Sequence, residues 1–293
     1  MQDSETMLEA LKKLQANILQ YENQQEYGYM VGYSPKLMFY QVGNLFDVVL
    51  YSDGYDDDAN VKASDMDYEG NFAFCALLDL LTIQDNADRL LSIEFTGQDE
   101  GANGIKSWVF DRIINSEVHF PNLKIFKVQL TNLGDHNLNI IDGGNLEEKG
   151  VLAKLLAKMP SLETMIVPSA PDKSFFEIGE HLLSYLKVQS GLNSQDFIIN
   201  LAASNNLVNL KTIDYAEQIE FEYNSDEIEY TPLSDFKQMF LSQGFASVGR
   251  FVLRNSKLEK NQLLELRDLN KVQFLCVNAH GGFYVNNLKR NPY

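Results

Sequence analysis

Residues 120–128 read Phe-Pro-Asn-Leu-Lys-Ile-Phe-Lys-Val, a turn former followed by Leu123, Phe126 and Val128 with Lys124 and Lys127 between them. Phe126 and Val128 alternate with Lys127, as expected of a strand with one face in a core and the other in water. The same frame, Leu-x-x-apolar-x-apolar, recurs. It appears as Leu90-Leu-Ser-Ile93-Glu-Phe95, Leu162-Glu-Thr-Met165-Ile-Val167 and Leu210-Lys-Thr-Ile213-Asp-Tyr215. Looser copies are Val248-Gly-Arg-Phe251-Val-Leu253 and Val272-Gln-Phe-Leu275-Cys-Val277. Turn formers precede several of them, such as Met-Pro-Ser before Leu162. Six copies of one short frame point to a repeat architecture.

Between the copies the apolar residues fall at helical spacing. Helices are predicted over 72–81, 105–114, 151–159, 175–188, 197–203, 233–241 and 258–269. Strands that alternate with helices form a parallel sheet joined by crossovers. In a doubly wound sheet the strands are apolar on both faces. Here Ser92, Glu94, Lys127, Thr164, Thr212, Asp214, Arg250 and Gln273 interrupt the apolar positions. One face is therefore expected to be open, with the helices on the other, which is the geometry of an α/β solenoid.

On these six copies, from Leu90 to Val277, the chain resembles leucine-rich repeat proteins of the irregular bacterial or ribonuclease-inhibitor-like type. Successive copies start 33, 39, 48, 38 and 24 residues apart. The position that holds a ladder Asn in that family holds Gln98, Thr131, Ala170, Gln218, Ser256 and His280 here. The resemblance implies a leucine-rich-repeat-like solenoid with a parallel sheet on one face and helices on the other. Its likeness to acidic leucine-rich inhibitors implies a protein that binds and masks a basic partner.

Residues 1–86 are read as an N-terminal capping region of helix, β-hairpin, acidic loop and helix. Residues 87–293 are read as degenerate repeats with a C-terminal cap. Thr6 and Glu9 make a capping box, and Met7, Leu11, Leu14 and Ile18 share one helical face. Leu37–Val42 and Leu45–Leu50 flank Gly43-Asn44, a hairpin signal. Leu45, Val48 and Leu50 also fit the repeat frame, which predicts the second hairpin strand as the edge of the sheet.

The chain has 293 residues, with 24 Lys+Arg against 41 Asp+Glu, a net charge of −17. That argues against nucleic acid or an anionic membrane as partner, since both need a positive footprint. The charge is uneven. Residues 1–150 carry 25 acids and 10 bases, net −15, whereas Lys237–Tyr293 carries nine bases and three acids, net +6. Acids concentrate in Asp53–Glu69 and again from Glu217 to Glu229. Such segments are read either as solvated loops that keep the protein soluble or as acids that steer a basic partner. Two cysteines, Cys75 and Cys276, exclude a disulfide scaffold. No run of about 18 apolar residues predicts a membrane span, and the acidic start is unlike a secretory signal. A cytoplasmic protein is expected.

Motifs for chemistry are sparse. None of His119, His136, His181 and His280 has a second His at ligand spacing, and no Gly-rich phosphate loop or Cys-x-x-Cys occurs. Asp56-x-Asp58-x-Asn60 with Asp67 imitates a calcium loop, but Val61 stands where the loop needs Gly. Asp135-His136 near Asp142 is the one compact acid–imidazole group. No catalytic residue, metal or cofactor is assigned. The open strand face supplies the candidate binding residues: Glu94, Thr96, Lys127, Gln129, Thr164, Asp214, Arg250, Arg254, Phe274 and Asn278. The sequence thus predicts a non-catalytic protein-binding module of inhibitor or immunity type. The alternatives are a self-associating scaffold subunit, and an enzyme or calcium-dependent binder.

Overall fold

The computed structural model describes residues 6–24, 35–52, 72–99, 104–132, 135–217 and 230–277. Nine strands form one sheet: β1 (Lys36–Val42), β2 (Leu45–Tyr51), β3 (Leu90–Thr96), β5 (Ile125–Val128), β7 (Thr164–Val167), β8 (Tyr185–Gln189), β9 (Thr212–Ala216), β10 (Arg250–Arg254) and β11 (Gln273–Val277). They lie in chain order, and all neighbours are parallel except the hairpin pair β1–β2. A separate parallel pair joins β4 (Gly104–Trp108) to β6 (Asn137–Ile141). The longer helices are α1 (Met7–Gln24), α2 (Phe72–Leu81), α5 (Val151–Lys158), α7 (Phe197–Ala203), α8 (Leu233–Leu241) and α9 (Lys260–Leu269). Short turns of helix are α3 (Gln84–Ala87), α4 (Asp111–Ile114) and α6 (Lys173–Glu177). The fold is thus mixed α/β with a large, mostly parallel sheet.

Register explains the repeated frame. Val48, Ile93, Phe126, Met165, Leu186, Ile213, Phe251 and Phe274 stand side by side across the sheet. Two residues further on, Leu50, Phe95 and Val128 form a second row, continued by Val188, Tyr215, Leu253 and Cys276. Helix residues close over these rows. Phe74 of α2 meets Phe95 edge-on at 5.5 Å, Phe197 of α7 stacks on Tyr215 at 4.7 Å, and Phe240 of α8 meets Phe251 at 5.8 Å. Each such ring pair adds roughly 1 kcal/mol beyond the area it buries.

Local signals behave as read at the N-terminus. Thr6 and Glu9 exchange hydrogen bonds: Thr6 N–H donates to Glu9 Oε2 at 3.0 Å and Glu9 N–H to Thr6 Oγ1 at 3.4 Å. Met7, Leu11, Leu14 and Ile18 are buried. Gly43, at φ +66, opens the two-residue hairpin turn. The edge strand is β1, however, and β2 lies second, paired to β3.

Three segments differ from expectation. Residues 105–114 are not one helix, because only 111–114 are helical, as α4, and β4 occupies 105–108. There the inward residues are Lys106 and Trp108, both buried. Lys106 Nζ lies over the Trp108 ring at 5.3 Å and donates to the Gln98 carbonyl at 3.2 Å. A lysine at an inward position hides the period-2 pattern. Residues 175–188 hold the short α6 and then β8. The frame Leu183-Ser-Tyr-Leu186-Lys-Val188 is a further copy, and it divides the 48-residue gap. The last copy is displaced by one residue. Phe274 and Cys276 face the core, so Leu275 and Val277 take the other side.

A Cβ added at Gly244 would run into the carbonyl oxygens of Leu201 and Ser204 at the end of α7. Both obstacles are backbone and cannot swing aside. Gly244→Ala is expected to lower stability by about 2–3 kcal/mol. A shift of the urea midpoint at unchanged m-value checks it.

Candidate protein interface

The side of the sheet away from the helices carries its own rows. One runs Asp47, Ser92, Ile125, Thr164, Tyr185, Thr212, Arg250 and Gln273. The next runs Val49, Glu94, Lys127, Ile166, Lys187, Asp214, Val252 and Leu275. From β1 to β8 this side is at least partly exposed. On β9 and β10 it closes over: Asp214, Ala216 and Val252 are buried.

Of the residues predicted for this face, the structure brings several together. Glu94 on β3 and Lys127 on β5 are paired at 3.4 Å, both partly exposed. Thr164 and Thr96 lie on the same side, and Arg250 is exposed on it. Asp214 is not an exposed contact. The Arg254 guanidinium grips it through Nε at 2.5 Å and Nη2 at 2.8 Å, and Lys187 Nζ lies 3.9 Å away. The paired carboxylate in turn holds the Arg254 pKa above its ordinary value. Gln129 lies just beyond β5, its N–H bonded to the Phe95 carbonyl. Phe274 belongs to the opposite, helix-covered face, against Phe240 and Phe251 at 5.3 and 5.8 Å. Asn278 lies outside the described residues. Tyr185, Lys187 and Gln189 were missed with β8, although the Leu183–Val188 frame signals them.

Charge on this side is mixed. Lys36, Lys127, Lys187, Arg250 and Arg254 stand against Asp47, Glu94 and Asp214. Acids and bases intermingle: Lys36 and Lys127 sit with Asp47 and Glu94 toward the hairpin, and Asp214 sits among Lys187, Arg250 and Arg254 toward β10.

Other candidates are committed to the fold. His136 Nδ1 meets Asp99 at 2.7 Å, and that carboxylate also accepts the His136 and Asn137 N–H groups. Asp142 is spent elsewhere, on Ser107 Oγ and the Gly144 and Leu146 N–H groups. The Asp135, His136 and Asp142 side chains therefore do not converge. His181 is buried; Leu183 N–H donates to its Nδ1, so Nε2–H donates to the Met159 carbonyl at 3.0 Å. Burial lowers its pKa. A cavity of about 270 Å³ opens beyond β6, β7 and β8, walled by Ser169, Ser190, Glu148 and Asn193. Asn145, Leu146 and Gln195 at its rim have positive φ. Glu148 caps α5 by accepting from Leu152 and Gly150, Ser169 accepts from Ile141, and Ser190 bonds Tyr215. The Asp56–Asp67 loop lies outside the described residues. Among the described residues no group of three His, Cys, Asp or Glu could hold a metal ion, and no helix is long and apolar enough to cross a membrane.

Comparison with known proteins finds no matching family model, no matching curated protein and no matching solved structure.

Proposed function

We propose that this chain is a non-catalytic protein-binding module, built as a leucine-rich-repeat-like solenoid, whose working surface is the open side of the sheet. One observation carries the reading: a continuous run of side chains from Asp47 through Ser92, Thr164 and Tyr185 to Arg250 is presented by strands that no helix covers among the described residues. Rows of this kind suit recognition of an extended partner surface. Tyr185 and Arg250 are of the residue types that anchor interfaces.

The partner favoured by charge is a basic protein. The chain carries −17 in all, with −15 in residues 1–150. This field raises the encounter rate with a cationic protein and weakens as salt screens it. Among the described residues the open side itself carries only Asp47, Glu94 and Asp214 as acids, so recognition there depends on shape and on a few pairs. A masking or immunity-type role follows if the covered surface of the partner is its active one.

The test compares the chain with a Thr164→Arg/Tyr185→Arg variant, immobilised in native lysate at low and high salt. The expected result is one stoichiometric basic protein, released by salt and lost by the variant at unchanged Tm. Equal retention by the variant would refute the open side as the surface. Recovery of the bait alone, with a salt-sensitive change in its own size, would favour a self-associating scaffold that joins its acidic and basic ends.

A further inference from the structure

Gly43 and Asn44 form a two-residue turn, so Val42 and Leu45 are the hydrogen-bonded closing pair of the hairpin. Along β1 inward- and outward-bonding residues then alternate. Met38, Tyr40 and Val42 bond to β2, while the backbone groups of Leu37, Phe39 and Gln41 face away from it. An independent contact agrees: the Gln15 side-chain amide of α1 donates to the Leu37 carbonyl at 2.7 Å. That carbonyl is thereby satisfied. The outward backbone groups of Phe39 and Gln41 have no such partner among the described residues.

Side chains at this edge are also uncovered. Met38, Tyr40 and Val42 are 46, 70 and 51% exposed. They share the open side with Val49, Asp47 and Leu45, their partners on β2. β1 holds no proline, and its one charge is Lys36 at its start. Natural edge strands are normally blunted along their length; here Lys36 and the α1 contact guard only the start of β1, and residues 38–42 are unguarded among the described residues.

Charge selects the occupant. The edge belongs to the half of the chain that carries −15, far along the sheet from Lys187, Arg250 and Arg254. A second copy docked here would bring two such halves together. A cationic segment is attracted instead.

We propose that an extended segment of the basic partner adds to the sheet as a strand beside β1. Its apolar or aromatic residues cover Met38, Tyr40 and Val42, its backbone bonds Phe39 and Gln41, and its flanks carry Lys or Arg. Strand addition takes affinity from main-chain bonds and specificity from alternate side chains. This inference rests on the protein-binding reading and adds the point of entry.

The probe is a synthetic nine-residue peptide alternating Lys with Val and Tyr, capped at both ends and added to the full chain. Its control carries Glu for every Lys. The basic peptide is expected to slow amide exchange in residues 36–42 about tenfold, and the acidic one to leave it unchanged. Gln41→Pro removes an outward N–H and leaves the β1–β2 ladder bonded. It should weaken binding at least about tenfold. Tyr40→Lys, which keeps the backbone, should do the same by repulsion. Thr164→Arg lies four strands away, about 19 Å, and should leave the peptide bound. The inference is overturned if the Glu peptide binds equally, if β1 stays unprotected at saturating basic peptide, or if both β1 variants bind normally. Loss of the natural partner on Thr164→Arg alone, with both β1 variants normal, would support the open side and refute only the edge.

Discussion

Phe95→Ala is expected to lower the unfolding free energy by about 4 kcal/mol. Phe95 is 1% exposed and lies where several elements meet. Its ring is 5.5 Å from Phe74, 5.2 Å from Phe110, 6.0 Å from Phe126 and 6.3 Å from Trp108. Those partners come from α2, β5, β4 and the turn into α4, so they cannot all collapse into the space a methyl leaves. The cost is the lost transfer energy plus the unfilled cavity. Phe95→Leu keeps most of the volume and should cost less than half as much. Urea denaturation of both variants checks the ratio. Equal losses would mean that ring geometry, and not volume, dominates at this site.

Glu217 is expected to make the protein less stable as the pH rises toward neutrality, by about 3 kcal/mol between its two pKa values. It is 2% exposed just beyond β9. Its N–H donates to the Arg254 carbonyl, and its carboxyl accepts from Thr231 N–H at 2.8 Å. Burial pushes its pKa from the ordinary 4.5 to about 7, against hydrogen bonds from Thr231 and Ser256. The sign follows from proton counting. Between those values the folded chain holds the proton and the unfolded chain has lost it. Stability therefore falls as pH rises through this window and is level, in this respect, above it. Glu217→Gln keeps an acceptor for Thr231 without the charge. It should be more stable than the parent at pH 8 and equal to it near pH 4. Denaturant titrations at both pH values measure the difference, and a gap that does not change with pH would refute the assignment.

The strand frames carry most of the fold because sheet burial with one open side leaves a period that needs no context. Leu123, Phe126 and Val128 illustrate it. β8 escaped notice for a physical reason: Phe175, Phe176, Ile178 and Leu182 precede it and imitate a helix face. β4 escaped because Lys106 points inward, where sequence reasoning expects an apolar residue. Phe274 was placed on the wrong face because Val272, Leu275 and Val277 are all apolar, so either register is plausible from sequence. The candidate interface was legible at Glu94, Lys127, Thr164 and Arg250, which simple alternation locates. Asp214 was not, since its burial depends on Arg254, 40 positions away. Glu217 reads as one more acid in an acidic stretch, and only packing distinguishes it.

Chain-order pairing in the nine-stranded sheet bears on synthesis. Chains emerge from the ribosome at roughly 5–20 residues per second. Within this sheet each strand from β2 onward pairs with one already made, so none of the nine waits for a distant segment still to be translated. The hairpin β1–β2 can form first, and each later strand then finds a finished template one position away. Such nearest-neighbour growth keeps loop-closure cost small at every step. It also leaves the newest strand as a temporary raw edge until the next arrives, about 20 to 40 residues later. Nascent chains arrested after β7 should therefore already protect the amides of β2, β3 and β5 from exchange while remaining prone to pair with one another.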